Sequence, residues 1–244
     1  MIIPVMVLPT ALLAGLLLLA FRWTALVRVG LQSETPIRSP RREWYVSGKD
    51  GILIVLLTLV YALVAFIGLG SRTAPESFCV FEQFEDSVTI YLPEDQNVSS
   101  ILYYTGIGTG SYKVDLSYNG GKYLTSGSLN QSYNDLFKWK SLELETHGMA
   151  VRAIRITASA HMELGELVLY DEHGRIIPAE ILRCGKKTEK LFDEQDKVPE
   201  APSWYNSTYF DEIYHPRTAY EHIRGIYPYE ISHPPLGKLI IALG

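Results

Sequence analysis

Two clusters near the C-terminus carry residue types that can do chemistry. The first is the acidic pair Asp211 and Glu212, and the second is the run 233–238, which contains His233 and Lys238. A carboxylate can accept a proton from an attacking hydroxyl group. Imidazole and ammonium groups can stabilise the negative charge of a departing phosphate. The two clusters therefore predict transfer of a group from a lipid-linked phosphosugar to a hydroxyl acceptor at a bilayer surface.

Each of these residues also has an ordinary structural explanation. Carboxylates in the first turn of a helix complement the helix dipole, which is worth ~0.3–1 kcal/mol each. Lys238, which precedes the apolar residues 239–244, is typical of an interfacial anchor whose charged end reaches the polar layer. His233 precedes two prolines and suits a turn. It is the combination of these residues that favours a catalytic role.

Two apolar segments lie upstream. Residues 52–70 carry no charge, and the segment is long enough to cross a hydrocarbon core of ~30 Å. Residues 1–21 are also uncharged and apolar. A secretory signal peptide is the alternative for residues 1–21, but a basic n-region and a small-residue cleavage site are missing. The sequence therefore predicts transmembrane helices over residues 1–21 and 51–71.

The loop between these helices, residues 22–50, is basic. Its cationic residues outnumber its acidic ones, Arg22, Arg28, Arg38, Arg41, Arg42 and Lys49 against Glu34, Glu43 and Asp50. Short loops rich in Lys and Arg stay in the cytoplasm, so everything beyond residue 71 is expected on the extracytoplasmic side of a bacterial plasma membrane. The net charge of −5 gives no reason to expect nucleic-acid binding.

Beyond residue 78 the pattern changes to short alternating runs with turn residues between them. Asn119 and the two glycines after it predict a hairpin, because these residues adopt positive φ readily. About nine short strands predict an antiparallel β-sandwich over residues 76–185, large enough for its own core. The candidate strands are 78–81, 87–92, 100–104, 112–118, 122–125, 138–144, 151–158, 166–170 and 176–181.

Cys79 and Cys184, the 2 cysteines of the sequence, flank this predicted domain. On an oxidising side of the membrane they could form a disulfide, which would be worth roughly 4–5 kcal/mol in the chain-entropy model. Two buried or free thiols are the alternative. No histidine or cysteine cluster accompanies them, so the sequence predicts no metal site.

The remaining residues form a predicted linker, 186–206, and a catalytic-loop segment with the start of a further transmembrane helix, 207–244. The linker is polar and contains prolines. Thr208 and Asp211 have the spacing of a capping box, which predicts a helix from about Tyr209. Pro216 is expected to kink or split that helix, and Gly225 to end it.

The predicted sandwich resembles the discoidin-like, galactose-binding jelly-roll family, with its local match at residues 164–170. The resemblance implies a module that binds carbohydrate or a surface. A structural spacer packed against the catalytic region is the alternative. Aromatic residues that are available for sugar binding are Tyr103, Tyr104, Tyr112, Tyr123, Tyr133 and Trp139.

The C-terminal motifs, residues 208–215, 227–230 and 233–239, resemble the dolichyl- or polyprenyl-phosphate-mannose–protein mannosyltransferases, which are integral-membrane GT-C glycosyltransferases. The resemblance implies that Asp211 is the base and that Glu212 positions the acceptor or the sugar. It implies that Lys238, together with His233, binds the donor phosphate. It also implies inversion, from a β-linked donor to an α-linked product. The large β-domain before the acidic pair departs from the eukaryotic pattern.

The expected fold class is membrane α-helical plus all-β, with transmembrane helices, an extracytoplasmic jelly-roll sandwich and an interfacial helical loop. The donor is expected to be a polyprenyl-phosphate sugar, with mannose as the sugar and no covalently bound cofactor. The expected partners are the lipid bilayer, this donor and a protein or glycan acceptor. Protein Ser/Thr is the favoured acceptor, and a lipid or cell-wall glycan is another.

The chain ends within an apolar run, so we expect a longer enzyme of which this part alone is inactive. A membrane-anchored carbohydrate-binding or adhesion protein without catalysis is the competing class.

Overall fold

The computed structural model describes residues 47–65, 73–119, 121–146 and 148–243. The predicted helix over residues 1–21 and nearly all of the basic loop lie outside these ranges. The chain divides into two compact units at residue 62, and each is described by itself.

Helix α1 (Gly48–Ala65) is the apolar helix predicted over residues 51–71, as far as the structure describes it. Ser47 and Asp50 cap its start reciprocally, because each backbone N–H donates to the other residue's side chain, at 2.9 and 3.2 Å. None of its residues is buried within the protein. Among the described residues α1 is the single helix that is long and apolar enough to cross a membrane.

The second unit is built on two four-stranded antiparallel sheets. Sheet I has the strand order β1-β8-β3-β6, and sheet II has the order β2-β7-β4-β5. The strands are β1 (Cys79–Phe81), β2 (Ser87–Gln96), β3 (Val98–Thr105), β4 (Gly110–Ser117), β5 (Tyr123–Gln131), β6 (Trp139–Glu143), β7 (Val151–Ala158) and β8 (Met162–Asp171). The predicted β-sandwich is therefore confirmed at the level of two packed antiparallel sheets.

Alternation along the strands creates the core between the sheets. Ile90, Leu116 and Ile154 of sheet II and Ile101 and Leu167 of sheet I are fully buried in one cluster. Their neighbours in sequence point to the outer faces, since successive strand residues alternate sides. Each sheet therefore has one face in the common core and one outer face.

The predicted hairpin at Asn119 is confirmed, because β4 and β5 pair up to Ser117 and Tyr123. The Asn119 side-chain oxygen accepts from the N–H of Gly121 at 3.0 Å and of Lys122 at 3.3 Å. This is the Asx-type turn that asparagine favours.

The last predicted strand, 176–181, is wrong. Ile176 makes one isolated bridge to Tyr170, and Ala179–Ile181 is a 3₁₀-helix. Pro178 precedes that helix, and a proline has no N–H to donate to a neighbouring strand.

The possible disulfide between Cys79 and Cys184 is not formed in the structure, where both are free thiols. Cys79 is fully buried in the core, where it packs as a small apolar side chain. Burial raises the pKa of the Cys79 thiol to about 12. The sequence left two alternatives open for Cys79 and Cys184, a disulfide or two buried or free thiols, and the structure shows the second.

The segment predicted as a linker packs on the sandwich, against β2 of sheet II as well as β1 and β8 of sheet I. It contains the short helix α2 (Lys186–Glu189) and two 3₁₀-turns, Gln195–Lys197 and Trp204–Asn206. Leu191 is fully buried, and its carbonyl accepts from the Leu167 N–H of β8 at 2.7 Å. Two further helices, α3 (Tyr214–Ile223) and α4 (Pro235–Ile241), follow and pack on each other.

Candidate functional site

The acidic pair lies in a 3₁₀-turn, Phe210–Ile213, that leads directly into α3. The predicted capping box between Thr208 and Asp211 is wrong by one residue. Glu212 closes the turn, because its carboxylate accepts from the Tyr209 N–H at 2.9 Å. The Thr208 hydroxyl instead donates to the Leu136 carbonyl in the sandwich. Glu212 therefore has the structural role of a helix-start carboxylate.

Asp211 differs from its neighbour. Its side chain is exposed, and it forms no hydrogen bond or ion pair with any residue in the described ranges. Phe210, the residue before it, has φ 49 and is 74% exposed. A left-handed conformation costs roughly 1–2 kcal/mol for a non-glycine residue. Strain of this kind concentrates at functional sites, so Asp211 is the better candidate of the two for chemistry.

Helix α3 continues through Pro216, which lies in its first turn. A proline is tolerated there because the first N–H groups of a helix have no intrahelical partner. The expected split occurs earlier, where the 3₁₀-turn becomes α-helix at Tyr214. Gly225 has φ 65 just beyond the helix, which confirms it as the residue that ends α3.

His233 and Lys238 meet at Glu230. Lys238 is 2% exposed, and its Nζ donates to the Glu230 carbonyl at 2.7 Å and pairs with the Glu230 carboxylate. His233 Nδ1 lies 3.2 Å from Glu230 Oε2, and its ring centroid lies 5.5 Å from that of His215. The hydrogen bond from Lys238 holds the pKa of the Glu230 carboxyl well below its ordinary value.

The predicted phosphate-binding residues are thus brought together, but the Lys238 charge is already compensated. Within the described part of the chain, no hydrogen bond or ion pair joins Asp211 to His233 or Lys238. Sequence reasoning missed Glu230 as the partner, although it lies in the matched motif 227–230. The signal for it was a carboxylate eight residues before a lysine, with a turn between them.

A second carboxylate, Glu221, fixes the loop between α3 and α4. It is 3% exposed and accepts from the Arg217 guanidinium at 2.9 Å and from the Tyr229 N–H at 2.6 Å. The Arg217 guanidinium also lies 4.2 Å from the centre of the Tyr229 ring. A buried carboxylate needs such partners, so these contacts hold the segment 217–229 in one conformation.

The outer face of sheet I carries this helical segment. Tyr220 of α3 donates its hydroxyl to Glu163 of β8 at 2.7 Å, and Arg224 lies 3.6 Å from the same carboxylate. The Tyr220 ring packs edge-on against Phe78 at 5.6 Å and Phe137 at 5.5 Å. The spacer interpretation of the sandwich, in which it packs against the predicted catalytic region, therefore agrees with these contacts.

One group of carboxylates in the described ranges has metal-like spacing. The ligand atoms of Glu166, Asp193 and Glu194 lie within 4.8 Å of one another. Protein donors already occupy them. Glu194 accepts from the N–H groups of Glu76 and Ser77 at 2.7 and 2.8 Å, and Glu166 accepts from Gln195 and from the Glu194 N–H. Burial raises the pKa of Glu166 to about 7. We assign the group a structural role.

Comparisons with known proteins add little to this geometry. No family model matches the sequence, and no curated protein matches it. A solved structure, CpGH89CBM32-6 produced by Clostridium perfringens, has a TM-score of 0.33 and 19% sequence identity, covering 43% of this chain and 83% of that chain. At this TM-score the similarity supports no argument about fold or function.

Proposed function

We propose that the protein is a membrane glycosyltransferase that transfers a sugar from a polyprenyl-phosphate donor to a hydroxyl acceptor. The observation that carries the proposal is the carboxylate of Asp211, which is exposed and unpaired within the described residues and directly follows Phe210, a residue in the left-handed conformation. It belongs to a helical segment that the sandwich holds in place. The sequence resemblance supports the donor class.

The proposed reaction is a single displacement. The acceptor oxygen attacks the anomeric carbon, its proton passes to Asp211, and the bond between that carbon and the phosphate oxygen breaks with its electron pair going to the phosphate. The anomeric centre is inverted. His233, which is 62% exposed, and Lys238 are the proposed partners of the phosphate. Because Glu230 compensates Lys238, the phosphate has to share or displace that ion pair.

Exposed apolar side chains support a membrane-surface location for this segment. Ile223, Ile231, Leu236 and Ile240 are between 61 and 68% exposed, and apolar side chains left exposed in one short segment favour contact with an apolar surface such as a bilayer. Together with α1, they favour an integral membrane protein with its sandwich and catalytic segment outside the cytoplasm. Mannose as the sugar, protein Ser/Thr as the acceptor and jelly-roll topology for the sandwich belong to the same proposal.

The test is sugar turnover by the full-length protein in membranes, with polyprenyl-phosphate mannose as the donor. We expect Asp211→Asn to lower turnover by a factor on the order of 10²–10⁴, as expected for loss of a general base. Glu212→Gln is the matched control, because it keeps an oxygen for the Tyr209 N–H; a fall of less than about tenfold is expected. Undiminished turnover in a correctly inserted Asp211→Asn protein contradicts the proposal.

The competing proposal, a membrane-anchored carbohydrate-binding protein without catalysis, is supported by one further feature. Sheet II leaves an open polar groove on its outer face. If the native protein turns over no polyprenyl-phosphate sugar, this becomes the favoured function.

A further inference from the structure

The proposed transfer site has two halves, which lie on separate stretches of the chain. The base half, residues 210–215, carries Asp211, and the phosphate half, residues 229–238, carries His233. The one ring contact between these halves in the described ranges joins His215 to His233 at 5.5 Å, and His233 is 62% exposed. A displacement at one carbon needs its base and its phosphate partner at a fixed separation. Further contacts therefore have to set the spacing of the two halves.

Tyr133 of the sandwich contacts both halves. Its ring centroid lies 6.1 Å from that of Tyr214 in the base half and 5.4 Å from that of Tyr229 in the phosphate half. These distances fall within the range of ~4.5–7 Å that aromatic pairs prefer. Burial, together with the neighbouring hydroxyl groups of Tyr229 and Tyr214, raises the pKa of Tyr133. The three tyrosine side chains therefore form one cluster between the halves.

The two partners of Tyr133 adjoin the groups that would do the chemistry. The Tyr214 N–H donates to the carbonyl of Asp211, so a shift of Tyr214 moves the backbone that carries the proposed base. Tyr229 directly precedes Glu230, which binds Lys238 through both its carbonyl and its carboxylate. A misplacement of about 1 Å between reacting groups can lower a rate on the order of 10²-fold, so the spacing set by this cluster matters for transfer.

The loop that holds Tyr133 is rigid. Tyr133 begins a 3₁₀-turn between β5 and β6, and Ser132 caps this turn by donating its N–H and its hydroxyl to the Asp135 carboxylate at 2.8 and 2.6 Å. Lys140 of β6 pairs with the same carboxylate at 2.8 Å and donates to the Asn130 carbonyl of β5 at 2.8 Å. The loop is therefore tied to both flanking strands, which makes Tyr133 a fixed point for the two halves.

The position of Tyr133 separates it from the other aromatic residues that the sequence made available for sugar binding. Four of them are core residues between 0 and 7% exposed, namely Tyr103, Tyr104, Tyr112 and Trp139. Tyr123 lies against the Arg155 guanidinium at 4.0 Å on sheet II. Among these described side chains, Tyr133 alone has ring contacts with Tyr214 and Tyr229.

We propose that Tyr133 is a positioning residue through which the sandwich sets the distance between the base half and the phosphate half. The inference rests on the proposed function and deepens it, because it gives the sandwich a part in sugar transfer beyond that of a spacer. Tyr133 acts through Tyr214 and Tyr229, and it touches no reacting atom itself.

The first test is sugar turnover by the full-length protein in membranes, with polyprenyl-phosphate mannose as the donor. Tyr133→Ala is expected to lower kcat about 10- to 100-fold and to leave KM for the donor within about twofold, because it disturbs alignment and not donor binding. Tyr133→Phe keeps the ring and should stay within about threefold of native turnover. Tyr123→Ala is the matched control, a half-buried tyrosine on sheet II, and should stay within about twofold.

A double variant separates positioning from a general loss of structure. In an Asp211→Asn background no base remains to be positioned, so adding Tyr133→Ala should lower the residual turnover by less than about twofold. A purely structural loss would lower turnover by the same factor in both backgrounds and would overturn the proposal. Native kcat in Tyr133→Ala, or a raised KM with kcat unchanged, would overturn it as well.

Amide hydrogen exchange of the same proteins in lipid nanodiscs tests the spacing without any substrate. Tyr133→Ala is expected to accelerate exchange about fivefold or more in residues 210–215 and in residues 229–238, while β3 and β7 keep their native rates. Unchanged exchange in either half contradicts the proposal. If the native protein turns over no donor, the proposed function fails, and the exchange rates then decide by themselves whether Tyr133 holds the two halves together.

Discussion

The outer faces of the two sheets have opposite chemistry although the strands that form them are alike. Sheet I presents Leu102, Tyr104, Trp139 and Val168, which are buried beneath residues from elsewhere in the chain, including Phe78 and Tyr220. Sheet II presents Lys113, Arg155 and Thr157 at an open groove. The outer face of sheet I is therefore largely a second core that holds the helical segment, while the outer face of sheet II carries charged and polar side chains. The contacts of sheet I agree with the spacer interpretation of the sandwich.

The largest expected difference between the faces concerns aromatic truncation. Phe78→Ala removes a ring that contacts Tyr104, Phe137 and Tyr220, and we expect the free energy of unfolding to fall by about 3–5 kcal/mol. Phe84→Ala on the sheet II side should change it by less than about 0.5 kcal/mol. Urea denaturation followed by circular dichroism measures both. Equal losses of unfolding free energy in the two variants would contradict the difference between a covered and an exposed face.

The covered face of sheet I is expected to make stability depend on pH near neutrality. Glu166 on β8 is fully buried, and its pKa is raised to about 7 from an ordinary value of 4.5. The folded protein binds a proton at Glu166 more tightly than the unfolded chain does. The protonated Glu166 therefore contributes its full stabilisation below pH 4.5, and this contribution is lost as pH rises through about 7. The loss is on the order of 3 kcal/mol.

Thermal unfolding from pH 4 to pH 8 checks this contribution. Glu166→Gln should remove the decline between pH 4.5 and 7, whereas the same change at the exposed Glu145 should leave it unaltered. A native protein whose midpoint rises steadily across that interval, with no difference from Glu166→Gln, would contradict the assignment.

The smallest expected effect tests the connection between sheet I and α3. Tyr220→Phe keeps the ring but removes the hydroxyl that donates to Glu163 at 2.7 Å. A hydrogen bond to a carboxylate is worth about 1.5 kcal/mol, and amide exchange in α3 should accelerate accordingly. Tyr209→Phe is the control, because Tyr209 is 69% exposed and its hydroxyl has no partner in the described ranges. Identical exchange in the two variants would show that this contact does not hold α3.

The strands could be predicted because alternation is a local signal. It identified β7 with the observed ends and located the β4–β5 hairpin from Asn119. It missed the start of β8, where Gly165 interrupts the pattern. A Cβ at Gly165 would lie 3.0 Å from the Tyr104 ring and 3.2 Å from the Phe78 ring. The glycine is therefore needed for the close packing of β8 beneath the aromatic cluster, which no local pattern reveals.

The candidate site was predictable in its residue types and only partly in its contacts. The acidic pair and the His233 and Lys238 residues stood out by sequence, but which carboxylate was free depended on a one-residue shift of the cap. Tyr220 and Glu163 are 57 residues apart in the sequence, and their pairing follows from the packing of α3 on sheet I. Sequence periodicity carries no information about such a partner.

The attachment of α3 to sheet I determines where this protein can be cut and recombined. A chimeric protein that exchanges residues 76–185 alone would separate Glu163 from Tyr220 and Leu136 from Thr208. Both sides of the junction would then expose surfaces that evolved to be covered. The exchangeable unit instead includes the linker and α3, so the β-sandwich and the helical segment have to be exchanged as one piece.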